Sequence, residues 1–89
     1  MAEMAQKLKY HKRTLPLPIR KKIGALIQHY REAANFSKRE VATALDLTPT
    51  VAFNWENGSC TPRMENLYSL VELFELDSVF NLLPPEVLV

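Results

Sequence analysis

The chain has 89 residues, 47% of them hydrophobic, which suits one small domain with a single core. Its one cysteine, Cys60, excludes an internal disulfide and is interpreted as a loop residue without chemistry, and its two histidines give no zinc-ligand spacing. The sequence has no spacing of nucleophile and base and no glycine-rich phosphate loop, so it predicts neither an enzyme nor a metal or cofactor site. Without a membrane-length apolar run or a secretory segment, we expect a soluble cytoplasmic protein.

Charge is divided unequally along the chain. Residues 1–63 carry eleven basic and five acidic side chains, a net +6, whereas residues 64–89 carry five acidic side chains and no basic one, a net −5. This pattern predicts a molecule with one end suited to phosphate and the other turned away from it.

The first 18 residues form a basic segment. They hold Lys7, Lys9, Lys12 and Arg13, and the run Leu15-Pro16-Leu17-Pro18 is expected to keep them out of continuous helix. Two interpretations stay open: a solvated tail, or an arm that follows DNA phosphates or enters a minor groove.

The first predicted helix runs from about Ile19 to Ala34. Its apolar stripe consists of Ile23, Leu26, Ile27 and Tyr30. Three cations, Arg20, Lys21 and Lys22, oppose the helix dipole at its start, which favours a nearby phosphate; an ordinary solvated basic patch is the alternative.

The second predicted helix begins at Ser37. Ser37 and Glu40 have the spacing of a capping box, and Phe36 with Val41 that of a hydrophobic staple. Its expected buried residues are Val41, Ala42 and Leu45. The short break at residues 46–48 then forces a sharp turn into the next helix.

The third predicted helix lies between Thr48 and Gly58. The Thr48 hydroxyl is expected to cap it, Pro49 suits its first position, and Gly58 suits a left-handed end. Helical spacing places Val51, Ala52 and Trp55 towards the core and Pro49, Thr50, Phe53 and Asn54 outwards. Residues 37–58 thus predict a helix-turn-helix.

A fourth helix is predicted from about Arg63 to Glu75, and Asp77 is expected to cap a short fifth helix that runs through Leu83. The fourth helix is expected to bury Met64, Leu67, Leu70, Val71 and Phe74. Residues 77–89 are a predicted dimerisation segment, because the apolar terminus has no evident core of its own; docking onto its own domain or fraying is the alternative. The interface candidates are Val79, Phe80, Leu83, Val87 and Leu88.

From Ile23 to Leu76, the chain resembles the phage repressor and Cro-like (XRE-type) helix-turn-helix domains of bacterial transcription regulators. The matching residues are Ile23-Gly24, Arg31-Glu32, Ser37, Val41-Ala42, Leu45, Asn54-Trp55-Glu56-Asn57-Gly58, Pro62 and Leu67. The resemblance implies an all-α, compact, five-helix lambda-repressor-like domain over residues 19–89 with a basic N-terminal arm over residues 1–18. It also implies an ion pair between Arg31 and Glu56.

Four residues depart from the family pattern. Asn35 and Asp46 stand where glycine is common, in turns that favour a positive φ. Lys38 replaces the usual glutamine, which indicates a charged contact to phosphate, and Ala52 is smaller than the usual isoleucine or valine.

DNA contacts are predicted from two surfaces. Base contacts are expected from Pro49, Thr50, Phe53 and Asn54, with Asn54 suited to an adenine edge. Phe53 would contact thymine methyl groups or a protein partner, or is simply an exposed aromatic. Phosphate contacts are expected from Ser37, Lys38, Arg39, Asn57, Ser59, Thr61 and Arg63.

The predicted function is sequence-specific binding to double-stranded DNA. By resemblance, we expect a repressor in the bacterial cytoplasm that binds a palindromic operator as a homodimer and regulates its own promoter. The alternative is a protein-binding module, such as an antitoxin or antirepressor, that uses the same fold to hold a protein partner.

Overall fold

The computed structural model describes residues 15–87, which form four α-helices and two 3-10 turns. The helices are α1 (Leu17–Ala33), α2 (Lys38–Ala44), α3 (Pro49–Asn57) and α4 (Met64–Leu73), and the turns are Val79–Leu82 and Pro85–Val87. The described residues contain no strand, in agreement with the all-α prediction. The basic residues predicted in the arm, and Leu88, lie outside the described residues.

Helix α1 begins at Leu17, two residues before the predicted start. Pro16 occupies the N-cap, and its carbonyl oxygen accepts hydrogen bonds from the amides of Ile19 and Arg20, both at 3.0 Å. Pro18 lies in the first turn, where no intrahelical donor is required. The prolines therefore start the helix, and residues 17 and 18 belong to α1.

Two residues after the ends of α1, α2 and α4, the chain has a left-handed backbone at a residue that is not glycine. Asn35 has φ 64°, Asp46 has φ 60° and Glu75 has φ 55°. The next amide bonds back across the helix end: Phe36 to the Arg31 carbonyl at 3.1 Å, Leu47 to Ala42 at 2.8 Å and Leu76 to Val71 at 2.9 Å. These Schellman ends turn the chain sharply into the next element.

The core takes side chains from every helix and from the C-terminal segment. Its buried members are Ile23, Ile27, Val41, Trp55, Leu67, Leu70, Phe74, Val79 and Leu82. Met64 is exposed, so its predicted place in the core is wrong. Met64 is the first residue of α4 and lies about 90° around the helix from the midpoint between the buried Leu67 and Leu70.

Helix α3 lies directly against α1 at Gly24. A Cβ atom at this position would lie 2.4 Å from the Trp55 carbonyl oxygen and 2.6 Å from that of Glu56. Only glycine permits this approach of the two backbones. Gly58 ends α3 with φ 85°, the left-handed end that its sequence position predicts.

The predicted fifth helix is instead the 3-10 turn Val79–Leu82, so the described chain has four α-helices rather than five. Ser78, and not Asp77, caps it: the Ser78 hydroxyl accepts from the Phe80 amide, and the Asn81 side chain accepts from the Ser78 amide, both at 3.0 Å. Leu83 precedes a proline and is extended, at φ −116° and ψ 130°, which prevents further helix.

The C-terminal segment packs on its own domain. Val79 is buried, and Leu83 and Val87 pack against the core, so the expectation that the apolar terminus has no core to join is wrong for Val87. Phe80 is 61% exposed. An ion pair between Lys22 and Glu86 ties the second 3-10 turn to α1. No helix among the described residues is long and apolar enough to cross a membrane.

Candidate nucleic-acid interface

Helix α3 presents the outward face that its spacing predicts. Ala52 and Trp55 are buried, whereas Pro49, Thr50 and Phe53 are exposed and Asn54 is half-buried. Thr48 occupies the N-cap position, but its side chain makes no capping hydrogen bond, so that part of the prediction is wrong. The helix start is supported by Pro49 and by a backbone bond from Val51 to Thr48 at 3.1 Å. Four different side chains thus line one accessible helix face.

The start of α2 lies beside this face and is held by the predicted capping box. The Glu40 amide donates to the Ser37 hydroxyl at 3.0 Å, and the Ser37 amide donates to the Glu40 carboxylate at 2.8 Å. The Ser37 hydroxyl still has a proton to donate to a phosphate oxygen. Lys38 is half-buried and Arg39 is exposed, so two cations stand at this helix start.

Lys38 also contacts α3. Its Nζ atom lies 4.2 Å from the centroid of the Phe53 ring. Sequence reasoning missed this contact because the two residues belong to different helices, so no spacing rule connects them. The packing of α2 against α3 brings a predicted phosphate contact and a predicted base contact together.

Arg31 and Glu56 lie together beneath the interface. Arg31 Nε is 2.6 Å and Nη2 3.2 Å from the two Glu56 carboxylate oxygens, while Nη1 donates to the Phe36 carbonyl at 2.8 Å. The hydrogen bond to Glu56 raises the pKa of Arg31. With side chains only 10% and 5% exposed, the pair is withdrawn from solvent and fixes α1 against α3.

The loop after α3 is shaped by its own polar groups. Asn57 Oδ1 accepts from the Ser59 amide at 2.8 Å, and the Cys60 amide donates to the Asn54 carbonyl at 3.3 Å. Of the other predicted phosphate contacts here, Arg63 is exposed and Thr61 is half-buried. The Asn57 side chain keeps its amide protons for a further acceptor.

Arg20 also lies at this interface, although it is not among the predicted phosphate contacts. Its Nη1 atom donates to the Ser59 carbonyl at 3.2 Å, which brings the start of α1 to the loop after α3. Lys21 packs beside Gly58, where its Cγ atom would lie 2.8 Å from an added Cβ. The signal in the sequence was the crowding of three cations at one helix start.

The arrangement combines a central face with donors on two sides. The start of α2 lies beside α3 through the contact of Lys38 with Phe53, and the loop after α3 lies at its C-terminal end with Arg20 and Lys21 of α1. Ammonium, guanidinium, hydroxyl and amide donors around a helix face are what a polyanionic duplex requires. The described residues contain no cluster able to hold a metal ion.

The chain is similar to known proteins in sequence and in fold. The family described as Helix-turn-helix (HTH_3) matches residues 27–80. No curated protein matches the chain. Among solved structures, one of the clp gene regulator ClgR from C. glutamicum matches with 26% identity and a TM-score of 0.65, over 76% of this chain and 86% of the ClgR chain in that structure.

Two further structures show the fold alone, because each is under 25% identical. The DNA-binding domain of BldD has 21% identity and a TM-score of 0.68, with 79% of this chain and all of that domain covered. Hydroxypropylphosphonic acid epoxidase from S. wedmorenis has 22% identity and a TM-score of 0.69, with 79% of this chain covered. The match spans only 37% of the epoxidase, so it conveys no enzymatic activity to this chain.

Proposed function

The chain belongs to the helix-turn-helix family, and we propose that it is a transcription regulator that binds double-stranded DNA in the cytoplasm. Helix α3 enters the major groove and places Thr50, Phe53 and Asn54 against base edges. The observation that carries this proposal is the accessible face of α3 with basic groups on two sides. The likeness to the clp gene regulator ClgR also supports it.

Positioning on the duplex is assigned to the flanking groups. Ser37, Lys38 and Arg39 contact phosphates on one side of the groove. Asn57, Ser59, Thr61 and Arg63 contact phosphates on the other side. Arg20 joins this second set through its bond to the loop. Because α1 begins at Leu17, the arm comprises residues 1–16, and its role in this proposal is to contact phosphates or the minor groove of the same duplex.

The regulator acts as a homodimer on a palindromic operator and represses, including at its own promoter. Met64, Tyr68 and Phe80 are each more than half exposed, and such large apolar side chains support a subunit contact. Among the predicted interface residues that the structure describes, Phe80 is the most exposed. Two-fold symmetry would present the α3 helices about 34 Å apart, one turn of the duplex.

The first experiment titrates the purified protein against the DNA upstream of its own gene and against unrelated duplex, at two salt concentrations. Specific, salt-sensitive binding to a palindrome is expected, and Asn54→Ala should remove the preference for that site while the protein stays folded. Equal weak binding to both duplexes would leave an operator elsewhere or the protein-binding alternative. Binding that ignores both salt and Asn54→Ala would favour that alternative, an antitoxin or antirepressor.

A further inference from the structure

The contact between Lys38 and Phe53 joins the two helices of the helix-turn-helix at its surface. Lys38 is the first residue of α2, and Phe53 is the fifth residue of α3. The 4.2 Å between the ammonium nitrogen and the ring centroid is well inside the range of about 6 Å for a cation–π interaction. Phe53 remains 52% exposed, so the contact is made at the surface and not in the core.

We propose that Phe53 is a positioning residue that holds the Lys38 ammonium ready for a DNA phosphate. This inference rests on the proposed function and assigns Phe53 a role beyond base contact. A free lysine side chain has many rotamers, and ordering it when DNA binds reduces affinity. An ammonium already held over a ring has lost part of that freedom before the duplex arrives.

The partner of the ammonium determines whether it can still serve a phosphate. An aromatic ring attracts the cation through its quadrupole and does not neutralise its charge, so the ammonium keeps N–H donors for a phosphate oxygen. A carboxylate partner would compete with the phosphate. Glu40, the acidic residue of the same helix turn, is instead bonded to the Ser37 amide at 2.8 Å. Because Glu40 is bonded to Ser37, the Lys38 ammonium contacts the Phe53 ring without competition from this carboxylate.

A double-mutant cycle on operator affinity tests the role. Phe53→Leu keeps an apolar side chain without a ring, Phe53→Tyr keeps the ring, and Lys38→Met keeps the chain length without the charge. We expect Phe53→Leu to weaken binding about two- to fivefold more in the presence of Lys38 than in the Lys38→Met background. Phe53→Tyr should retain that coupling. Any loss of a direct base contact by Phe53 is common to both backgrounds and cancels.

Arg39 supplies the matched control. It is the next residue of α2, is also cationic and is exposed. Arg39→Gln should weaken binding and lower the salt dependence, but its effect should add to that of Phe53→Leu without coupling. Equal coupling of Phe53 to Lys38 and to Arg39 would mean that Phe53 acts on the whole α2 start and would overturn the specific role.

The free protein provides a second measurement. The ring should shift the Lys38 side-chain proton resonances upfield, and Phe53→Leu should remove this shift while Phe53→Tyr preserves it. Specific binding without coupling in the cycle, or tighter binding by Phe53→Leu, would overturn this inference and leave the proposed function intact. Absence of salt-sensitive DNA binding by the unaltered protein would overturn both.

Discussion

Arg31 connects two parts of the fold through one guanidinium group. Two of its nitrogens face the Glu56 carboxylate and the third bonds to the Phe36 carbonyl, so it links α1 to α3 and to the turn before α2. We expect Arg31→Met to lower the free energy of unfolding by about 3–5 kcal/mol, because it leaves a buried carboxylate without its cation. Urea denaturation of the two proteins measures this difference.

The matched control removes both charges. Arg31→Met combined with Glu56→Leu should recover part of the loss, because no unpaired charge is then buried. If the double variant loses as much free energy of unfolding as the two single variants together, or more, the ion pair is not the source of the effect. The fold, and not base recognition, should be the first property lost.

The ion pair of Glu86 should make the stability of the protein depend slightly on pH in the acidic range. Its hydrogen bond to Lys22 lowers the pKa of Glu86 below the ordinary value of 4.5. A carboxyl group with a lowered pKa stabilises the folded state above its unfolded pKa and loses that contribution as pH falls through the folded pKa. The stability difference between the unaltered protein and Glu86→Gln should therefore shrink below about pH 4.5.

An NMR titration of Glu86 tests the cause. Its midpoint should lie below 4.5 in the unaltered protein and rise towards that value in Lys22→Met. Because both side chains are exposed, the effect on overall stability should be modest. A midpoint that Lys22→Met leaves unchanged would mean that the contact to α1 does not control this carboxyl group.

Among the elements, the helices that pack on the core could be predicted well and the C-terminal segment could not. Apolar spacing and the capping box at Ser37 identified the helix-turn-helix because both signals are local. The sequence places the start of α1 two residues late, because a proline can open a helix as well as exclude one. The 3-10 turn at Val79 has the capping and apolar signals of an α-helix, so these local signals predict a helix there and do not distinguish the two.

The candidate interface could likewise be predicted from the sequence only in part. The helical period of α3 is sufficient to place Thr50 and Phe53 on its outward face. The contact of Lys38 with Phe53 and the bond from Arg20 to the loop both depend on how helices pack. The sequence separation of these pairs carries no such information.

Replacing either of two glutamates near the end of α4 by glycine should change the stability of the protein, in opposite directions at the two positions. Glu75 has a left-handed backbone that glycine adopts at lower cost, so Glu75→Gly should stabilise the protein by about 1 kcal/mol. Glu72 is the penultimate residue of α4 and has a helical backbone, where glycine is unfavourable, so Glu72→Gly should destabilise the protein by up to about 1 kcal/mol. Both side chains are exposed. Thermal or urea unfolding would contradict the interpretation if both variants changed stability in the same direction.

In the whole molecule, the basic side chains at the start of α2 are separated in space, as well as along the sequence, from the acidic side chains near its end. Lys38 and Arg39 stand at the start of α2, whereas Asp46 follows its end and lines a cleft with Glu72 of α4. Helix α2 is about 10 Å long, which is about one Debye length at 0.1 M salt. Salt therefore reduces the interaction between charges at its two ends to about a third, so Asp46 and Glu72 should act only weakly on a phosphate at the start of α2.

This order predicts which charge changes alter DNA binding. Arg39→Gln should reduce the slope of log affinity against log salt by about 0.9, the value for one lost phosphate contact. Asp46→Asn, which keeps a residue that tolerates the left-handed backbone, and Glu72→Gln should change affinity less than about twofold near 0.15 M salt and leave the slope unaltered. Titrations of one duplex over a salt series measure all three. A slope change for Glu72→Gln as large as that for Arg39→Gln would mean that the cleft, and not the start of α2, lies against the duplex.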